Sequence, residues 1–327
     1  MGRGHHEKYG GRHAEAVAIA SASRDVRGST LFVNLEPCSH QGNQPPCAEK
    51  IIAAGIKRVV IGTVDPNPLV NGRGIALLEE DGVEVVCGVL EHLCREANAA
   101  FFKYMETGVP LVTIKTAQTL DGRIAAADGS SKWISSDKAR QLVHRMRAGN
   151  DAVLVGAGTV AADDPQLNVR LVPGRDPMRI VLDSQLRLPE RAKVLADGNQ
   201  DKTIIACTAA APAERMRRVA ATGVAVWTLP ADPSGRVDLP ALLKRMAESK
   251  LISLLVEGGA AVISAFLRLR LADRVAVFVS PKVLGSGLNA FQDFGVAALA
   301  DALLITDVRN KKVGSDILIT GRISQRE

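Results

Sequence analysis

Apolar and polar positions along the chain alternate between two periods. Short β-branched or apolar runs at 30–33, 58–63 and 83–87 read as strands, and apolar residues recur every three or four positions after His13 and over 47–54 and 72–81, which read as helices. Such alternation predicts a mostly parallel sheet with helices on its faces. A longer helix is predicted over 91–106, with Leu93, Ala97, Ala100, Phe101 and Tyr104 on one stripe. Thr107-Gly108-Val109-Pro110 ends it, so the chain divides into residues 1–107 and 108–327.

The second part repeats the pattern. Strands are predicted at 111–116, 152–155, 179–183, 203–207 and 224–229, with a helix at 239–248. Ser135 or Ser136 caps another helix, with Asp137 in its first turn and Ala139, Leu142, Val143 and Met146 at helical spacing. Two strand-to-helix junctions carry paired glycines. Gly156-Ala157-Gly158-Thr159 is a weak phosphate-cradle signal that a mere tight turn explains better. At Leu254-Leu255-Val256-Glu257-Gly258-Gly259 a buried strand runs into a helix whose free backbone N–H groups suit a nucleotide phosphate; a turn needing positive φ is the plainer alternative. Glu257 tips that balance, because α/β sheets place ligands at the C-terminal ends of their strands. Neither turn completes a Rossmann fingerprint, so neither reads as a Rossmann dinucleotide site.

The chemistry concentrates near the start. His13-Ala14-Glu15 opens an Ala-rich helix, Pro37-Cys38 follows the first strand, and Cys47 opens the next helix. Taken singly, each Cys reads as a small buried hydrophobe and the His as a hydrogen-bonded residue. Together they are one His and two Cys around one strand. A structural zinc takes four protein ligands, whereas a catalytic one keeps three and leaves a position open. Glu15, two residues past His13, is placed as a proton shuttle that does not ligate the metal. Zinc deaminases of bases combine these parts, although their two cysteines usually stand closer than Cys38 and Cys47.

Composition narrows the partners. The formal charge is +6 from 41 Lys+Arg and 35 Asp+Glu, with no basic run of five, which fits an anionic small substrate or NADPH better than nucleic acid. Aromatics at 3% also argue against a base-stacking platform. Five cysteines, an odd count with two of them assigned to metal, argue against a disulfide framework and point to a reducing cytoplasm. No apolar run has the length of a membrane span, and the first residues lack a signal peptide's apolar core, so no membrane partner is expected.

Leu35-Glu36-Pro37-Cys38-Ser39-His40, Pro45-Pro46-Cys47, Asp65-Pro66-Asn67-Pro68 and Gly72-Arg73-Gly74 resemble the bifunctional deaminase/reductase of riboflavin biosynthesis. The resemblance continues through Thr119-Leu120-Asp121-Gly122-Arg123, Lys132-Trp133-Ile134, Gly158-Thr159-Val160, Asp163-Asp164-Pro165 and Val256-Glu257-Gly258-Gly259. It implies an α/β protein: a cytidine-deaminase-like three-layer α/β/α domain followed by a dihydrofolate-reductase-like α/β domain with a mixed sheet. The implied cofactors are Zn2+ and NADPH. The implied substrate is a phosphoribosylaminopyrimidine, first deaminated at zinc and then reduced from ribosyl to ribityl, by an enzyme that is a homodimer.

Residue by residue, the resemblance makes His13, Cys38 and Cys47 the zinc ligands and Glu15 the proton shuttle. His6 and His40 line the deaminase substrate pocket. In the reductase, Ser131, Arg147, Leu167, Arg170 and Glu257 bind substrate, the two arginines suiting a ribose phosphate. Ala117, Trp133, Thr159, Asp163, Ser184 and the turn Gly259, Ala260, Ala261, Val262, Ile263, Ser264 and Ala265 hold NADPH.

The chain departs from the family at Arg12, where Pro is usual, and at Asn43, where Lys or Arg is usual. The family's leading helix, first strands and Asn-Pro loop are also absent, and Met1 reads as an internal codon taken for a start. Two rival readings follow: a working reductase on a non-catalytic scaffold of residues 1 to about 106, or a nucleic-acid deaminase with an unrelated C-terminal partner.

Overall fold

A computed structural model of the protein describes residues 1–6, 10–41 and 44–324. Asn43 therefore lies outside the described residues. The chain divides into two compact units, Met1–Gly108 and Val109–Glu327.

In the first unit, strands β1 (Thr30–Val33), β2 (Arg58–Ile61) and β3 (Glu84–Cys87) form a parallel sheet in that order. Helices α1 (Ala14–Ala20), α2 (Cys47–Ala53) and α3 (Arg73–Glu80) follow the expected pattern. The core joins Ala48 and Ile51 of α2 to Val59 and Ile61 of β2 and Leu78 of α3, all essentially fully buried. Burying an Ile or Leu side chain contributes roughly 1.5–3 kcal/mol, so these few contacts fix where α2 starts, and with it Cys47.

The single helix expected over 91–106 is two, α4 (Glu91–Ala97) and α5 (Ala99–Thr107). Asn98 leaves helical geometry at φ −106°, ψ 16°, and its Nδ2 donates to the Cys94 carbonyl at 2.8 Å. Short amide side chains compete in this way with the backbone ladder. The expected stripe is also corrected. Ala99 and Phe102 are the buried residues of α5, whereas Leu93 is 54% exposed, because the break resets the buried face.

The second unit contains β4 (Leu111–Thr119), β5 (Arg123–Ala125), β6 (Ala152–Gly156), β7 (Met178–Leu182), β8 (Thr203–Cys207), β9 (Ala225–Thr228), β10 (Ser253–Gly258), β11 (Arg274–Ser280), β12 (Leu288–Asn289), β13 (Ile305–Val313) and β14 (Asp316–Ile323). Its helices are α6 (Asp137–Ala148), α7 (Ala157–Asp163), α8 (Lys193–Ala196), α9 (Ala213–Ala221), α10 (Leu239–Glu248) and α11 (Ala260–Arg268). Nine strands form one mixed sheet in the order β13-β14-β11-β4-β10-β6-β7-β8-β9, antiparallel only at the β13-β14-β11 side. The strands after β10 were not anticipated.

Successive residues of β6 serve different cores. Ala152 and Leu154 pack with Leu242, Met246 and Phe266, whereas Val153 and Val155 pack with Leu195 and Val219. Period-2 alternation thus makes this strand apolar throughout, as a sheet covered on both faces requires. Ser136 caps α6 by accepting from the Ala139 N–H at 3.3 Å, while the buried Asp316 accepts from Ser136 N at 2.8 Å and ties the β13–β14 hairpin to that helix start.

Candidate functional sites

His13 stands at the N-cap of α1, Cys38 in the loop after β1 and Cys47 at the first position of α2. One ligand atom from each lies within 4.8 Å of the other two. His13 Nδ1 is 3.5 Å from Cys38 Sγ and 3.3 Å from Cys47 Sγ. A nitrogen and a sulfur bound tetrahedrally to zinc at about 2.0 and 2.3 Å stand roughly 3.5 Å apart, so this donor set fits zinc in size as well as chemistry. The Cys38 thiol is lowered to about 4 by hydrogen bonding from Cys47 and His13, and the Cys47 backbone N–H donates to its sulfur at 3.3 Å.

Glu15 lies in the first turn of α1. Burial pushes its carboxyl up, against the opposing pull of its own backbone, His13 and the Cys47 side chain. The His6 ring packs edge-on against the His13 ring at 5.5 Å. His40 Nδ1 is buried and has no hydrogen-bond partner among the described residues, and the imidazole acts electrostatically on Asp65.

Glu36, two residues before Cys38, is a feature that sequence reasoning passed over. Its Oε1 accepts from Gly74 N at 2.8 Å and Ile75 N at 3.2 Å, and its Oε2 from Gly72 N at 2.9 Å and Asp65 N at 3.2 Å. The carboxylate therefore caps α3 from a distance and fastens the 65–75 loop to the Pro37-Cys38 turn. Gly74 permits the approach: a Cβ there would meet the Pro37 carbonyl oxygen at 2.0 Å.

In the second unit the expected residues gather around two cavities. One, of about 570 Å³, is lined by Ala117, Ser131, Trp133, Arg147, Thr159, Asp163, Leu167, Arg170 and Glu257. The other, of about 750 Å³, is lined by Gly156, Ala157, Gly158, Ser184, Ala261, Val262 and Ala265. The strand-to-helix segment 155–159 contributes to both walls. Of the 259–265 turn, Ala260, Ile263 and Ser264 face the interior, and Ser264 Oγ accepts from Gln292 N at 2.7 Å. Helical periodicity leaves only Ala261, Val262 and Ala265 on the cavity, with Gly259 as the N-cap of α11. Gly258 has φ +138°, a conformation that favours glycine, so the plainer reading of that glycine pair describes its backbone.

The floor of the smaller cavity is an ion cluster. Arg147 Nε and Nη2 donate to Glu257 Oε1 and Oε2 at 2.5 and 2.9 Å, and Lys115 Nζ lies 3.6 Å from Oε2. Burial would raise the Glu257 carboxyl, but Arg147 and Lys115 overcome it and hold it at about 2. Burial likewise lowers Lys115, with Glu257 opposing. Arg147 also donates to the Asn168 carbonyl at 3.0 Å, and Arg170 Nη1 to Asn168 Oδ1 at 2.9 Å. Ser131 Oγ donates to Asp163 Oδ1 at 3.3 Å. Trp133, 57% exposed, lies on the cavity wall with the Arg140 guanidinium 4.2 Å from its ring.

Lys115 and His144 were also missed. The signal for Lys115 was present: it stands two residues before Ala117 on β4, hence on the same face. His144 is lowered to about 4 by burial, with Arg147 and Arg170 adding to it, and its Nδ1 accepts from Arg170 N at 3.1 Å.

A metal-sized cage beside a half-buried carboxylate, and a nucleotide-sized trough across parallel strand ends, define a two-site α/β enzyme. The chain belongs to the RibD family of riboflavin biosynthesis proteins. The family description "RibD C-terminal domain" matches residues 110–319, and "Cytidine and deoxycytidylate deaminase zinc-binding region" matches residues 1–63. The chain is 41% identical to riboflavin biosynthesis protein RibD of Aquifex aeolicus, over 98% of this chain and 87% of that protein. To the Escherichia coli protein it is 35% identical, over 98% and 89%. Among solved structures, Acinetobacter baumannii RibD superposes with a TM-score of 0.87 at 37% identity, covering 99% of this chain and 89% of that one. A diaminohydroxyphosphoribosylaminopyrimidine deaminase/5-amino-6-(5-phosphoribosylamino)uracil reductase from Thermotoga maritima gives 0.82 at 39%, over 98% and 87%. These matches overturn the reading as a nucleic-acid deaminase with an unrelated C-terminal partner.

Proposed function

We propose that this chain carries out two successive steps of riboflavin biosynthesis, hydrolytic deamination of 2,5-diamino-6-(5-phosphoribosylamino)pyrimidin-4(3H)-one and reduction of the product's ribosyl chain to ribityl. The observation that carries the first step is the convergence of His13, Cys38 and Cys47 around a zinc-sized space with Glu15 beside Cys47. Zinc, when bound, supplies the Lewis acidity that makes water a nucleophile near neutral pH. Glu15, whose raised carboxyl suits proton exchange, moves a proton from the attacking water to the departing amino group. His6 and His40 face the substrate ring, a role supported by the unpartnered Nδ1 of His40.

NADPH supplies the hydride for the second step. Ala117, Trp133, Thr159, Asp163, Ser184, Gly259, Ala261, Val262 and Ala265 hold the cofactor, while Ser131, Arg147, Leu167, Arg170 and Glu257 hold the substrate. Arg147 is already gripped by Glu257, so its guanidinium offers the substrate a fixed edge, and Arg170 is the freer partner for a phosphate. The two units, Met1–Gly108 and Val109–Glu327, are the deaminase and reductase domains.

A homodimer in the cytoplasm completes the proposal. Exposed apolar side chains on the β13–β14 hairpin, Val308 and Ile317 among them, support self-association, and five free cysteines support a reducing compartment. No helix of the described residues is long and apolar enough to cross a membrane.

Incubating the purified chain with the diaminopyrimidinone and separating the products tests both steps. Ammonia and 5-amino-6-(5-phosphoribosylamino)uracil should form without NADPH, and the ribityl product only with it. A chain that reduces supplied aminouracil but never releases ammonia would leave the first unit as a scaffold.

A further inference from the structure

We propose that Arg187 and Arg236 bind the 2′-phosphate of NADPH and so set the preference for NADPH over NADH. The proposal rests on the reductase reading above and names the part of that site which selects the cofactor.

The larger cavity runs from the first turns of α11 to two loops, the 183–188 turn after β7 and the 232–238 turn before α10. The loops are stitched together, since Ser184 Oγ accepts from Val237 N at 3.1 Å. Each is fixed internally: Leu188 N donates to Asp183 Oδ2 at 2.8 Å, and Asp232 N donates to the Arg236 carbonyl at 2.7 Å. Each places one arginine on the cavity wall.

NADPH differs from NADH by one phosphate monoester, which carries roughly −1.5 to −2 charge at neutral pH. A site that tells them apart needs positive charge that the protein itself does not consume. By formal count the cavity is neutral, with Arg187, Arg236 and Arg268 against Asp183, Asp232 and Asp238. Availability breaks the tie. Asp183 is 4% exposed and turned into its own loop. Asp232 Oδ1 accepts from Ser234 N, Ser234 Oγ and Arg236 N, and Asp238 caps α10 through Ala241 N at 2.8 Å. Arg268 donates to the Asp293 carbonyl at 2.9 Å. Among the described residues, the guanidinium groups of Arg187 and Arg236 have no hydrogen bond or ion pair within 4.0 Å; Arg236 acts only through space, holding the Asp232 carboxyl down.

The position of Asp183 sharpens the argument. In Rossmann domains a carboxylate just past a strand end binds a ribose diol and favours NADH, whereas an arginine nearby accommodates a 2′-phosphate; the same charge argument applies to any site that receives the 2′ position. Here the carboxylate is withdrawn into the turn and Arg187, four residues on, lines the cavity.

Binding of NADPH, NADH and 2′,5′-ADP to the full chain and to Arg187→Ala, Arg236→Ala and the double variant, measured by calorimetry, tests this. A charged hydrogen bond to phosphate corresponds to about ten- to hundred-fold in affinity. Each single variant should weaken NADPH and 2′,5′-ADP by that factor, leave NADH within about twofold, and keep its melting temperature. Arg187→Lys should recover part of the loss. NADPH affinity unchanged in the double variant would overturn the proposal, as would equal losses for NADPH and NADH. A wild-type chain that binds neither dinucleotide would instead overturn the reductase reading itself.

Discussion

The deaminase site and the reductase site are built on opposite plans. The first draws its candidate metal ligands and its proposed proton shuttle from residues 13–47, around one strand of a three-stranded sheet. The second gathers Lys115, Arg147, Asp163, Leu167 and Glu257 from positions far apart in sequence, brought together by β4, β6 and β10 lying side by side in a nine-stranded sheet. A compact site depends on a few local turns and, under the proposed function, on a bound metal. A dispersed one depends on the register of the whole sheet and, here, on a buried carboxylate that gathers two cations. The contrast implies that damage to either site stays in its own half-reaction.

The largest expected effect is on chemistry at the compact site. Glu15→Gln should keep zinc, as metal analysis will read, while ammonia release falls by roughly 10²–10⁴, the usual contribution of general acid–base catalysis. Reduction of supplied aminouracil should not change. Unaltered deamination in this variant would remove Glu15 from the mechanism.

Next in size is Glu257→Ala. It strands Arg147 and Lys115 without their shared carboxylate, and breaking a buried ion pair by removing one partner costs about 3–5 kcal/mol. A lower denaturant midpoint for the second unit and loss of reduction, with ammonia release intact, are the expected readings. Arg147→Ala is milder on the cofactor side. It should impair reduction while NADPH affinity largely survives, and a collapse of NADPH binding would show that the division into substrate and cofactor residues is misdrawn.

The smallest effect is a pH dependence of stability. The His144 imidazole is lowered from 6.5 to about 4 in the fold, so between those values the unfolded chain takes up a proton that the folded chain refuses. Stability should therefore fall as pH drops from about 6.5 to about 4, with no further loss from this group below. His144→Gln should flatten that part of the profile in thermal melts. Parallel profiles for variant and wild type would rule out His144 as the source.

What could be read in the sequence follows the same contrast. His13, Glu15, Cys38 and Cys47 were legible because their chemistry is rare and their spacing short. The strands β6, β8 and β10 were legible because both their faces are covered, which makes them continuous apolar runs. By contrast β13 is exposed along nearly its whole length and carries Arg309, Lys311 and Lys312, so it shows no apolar alternation. Asn98 divided a helix by one side-chain hydrogen bond, a competition that periodicity does not register. Glu36 was illegible because its four N–H partners belong to a loop about thirty to forty residues further on.

The central claim is that one chain runs two chemistries at two separable sites, the first dependent on zinc. Stripping the metal with a chelator, then following ammonia release and NADPH oxidation on the same preparation, tests it most directly. Ammonia release should disappear and return with added zinc, while NADPH oxidation with supplied 5-amino-6-(5-phosphoribosylamino)uracil continues at its original rate. Deamination that persists in metal-free protein, or the simultaneous loss of both activities, would contradict the account.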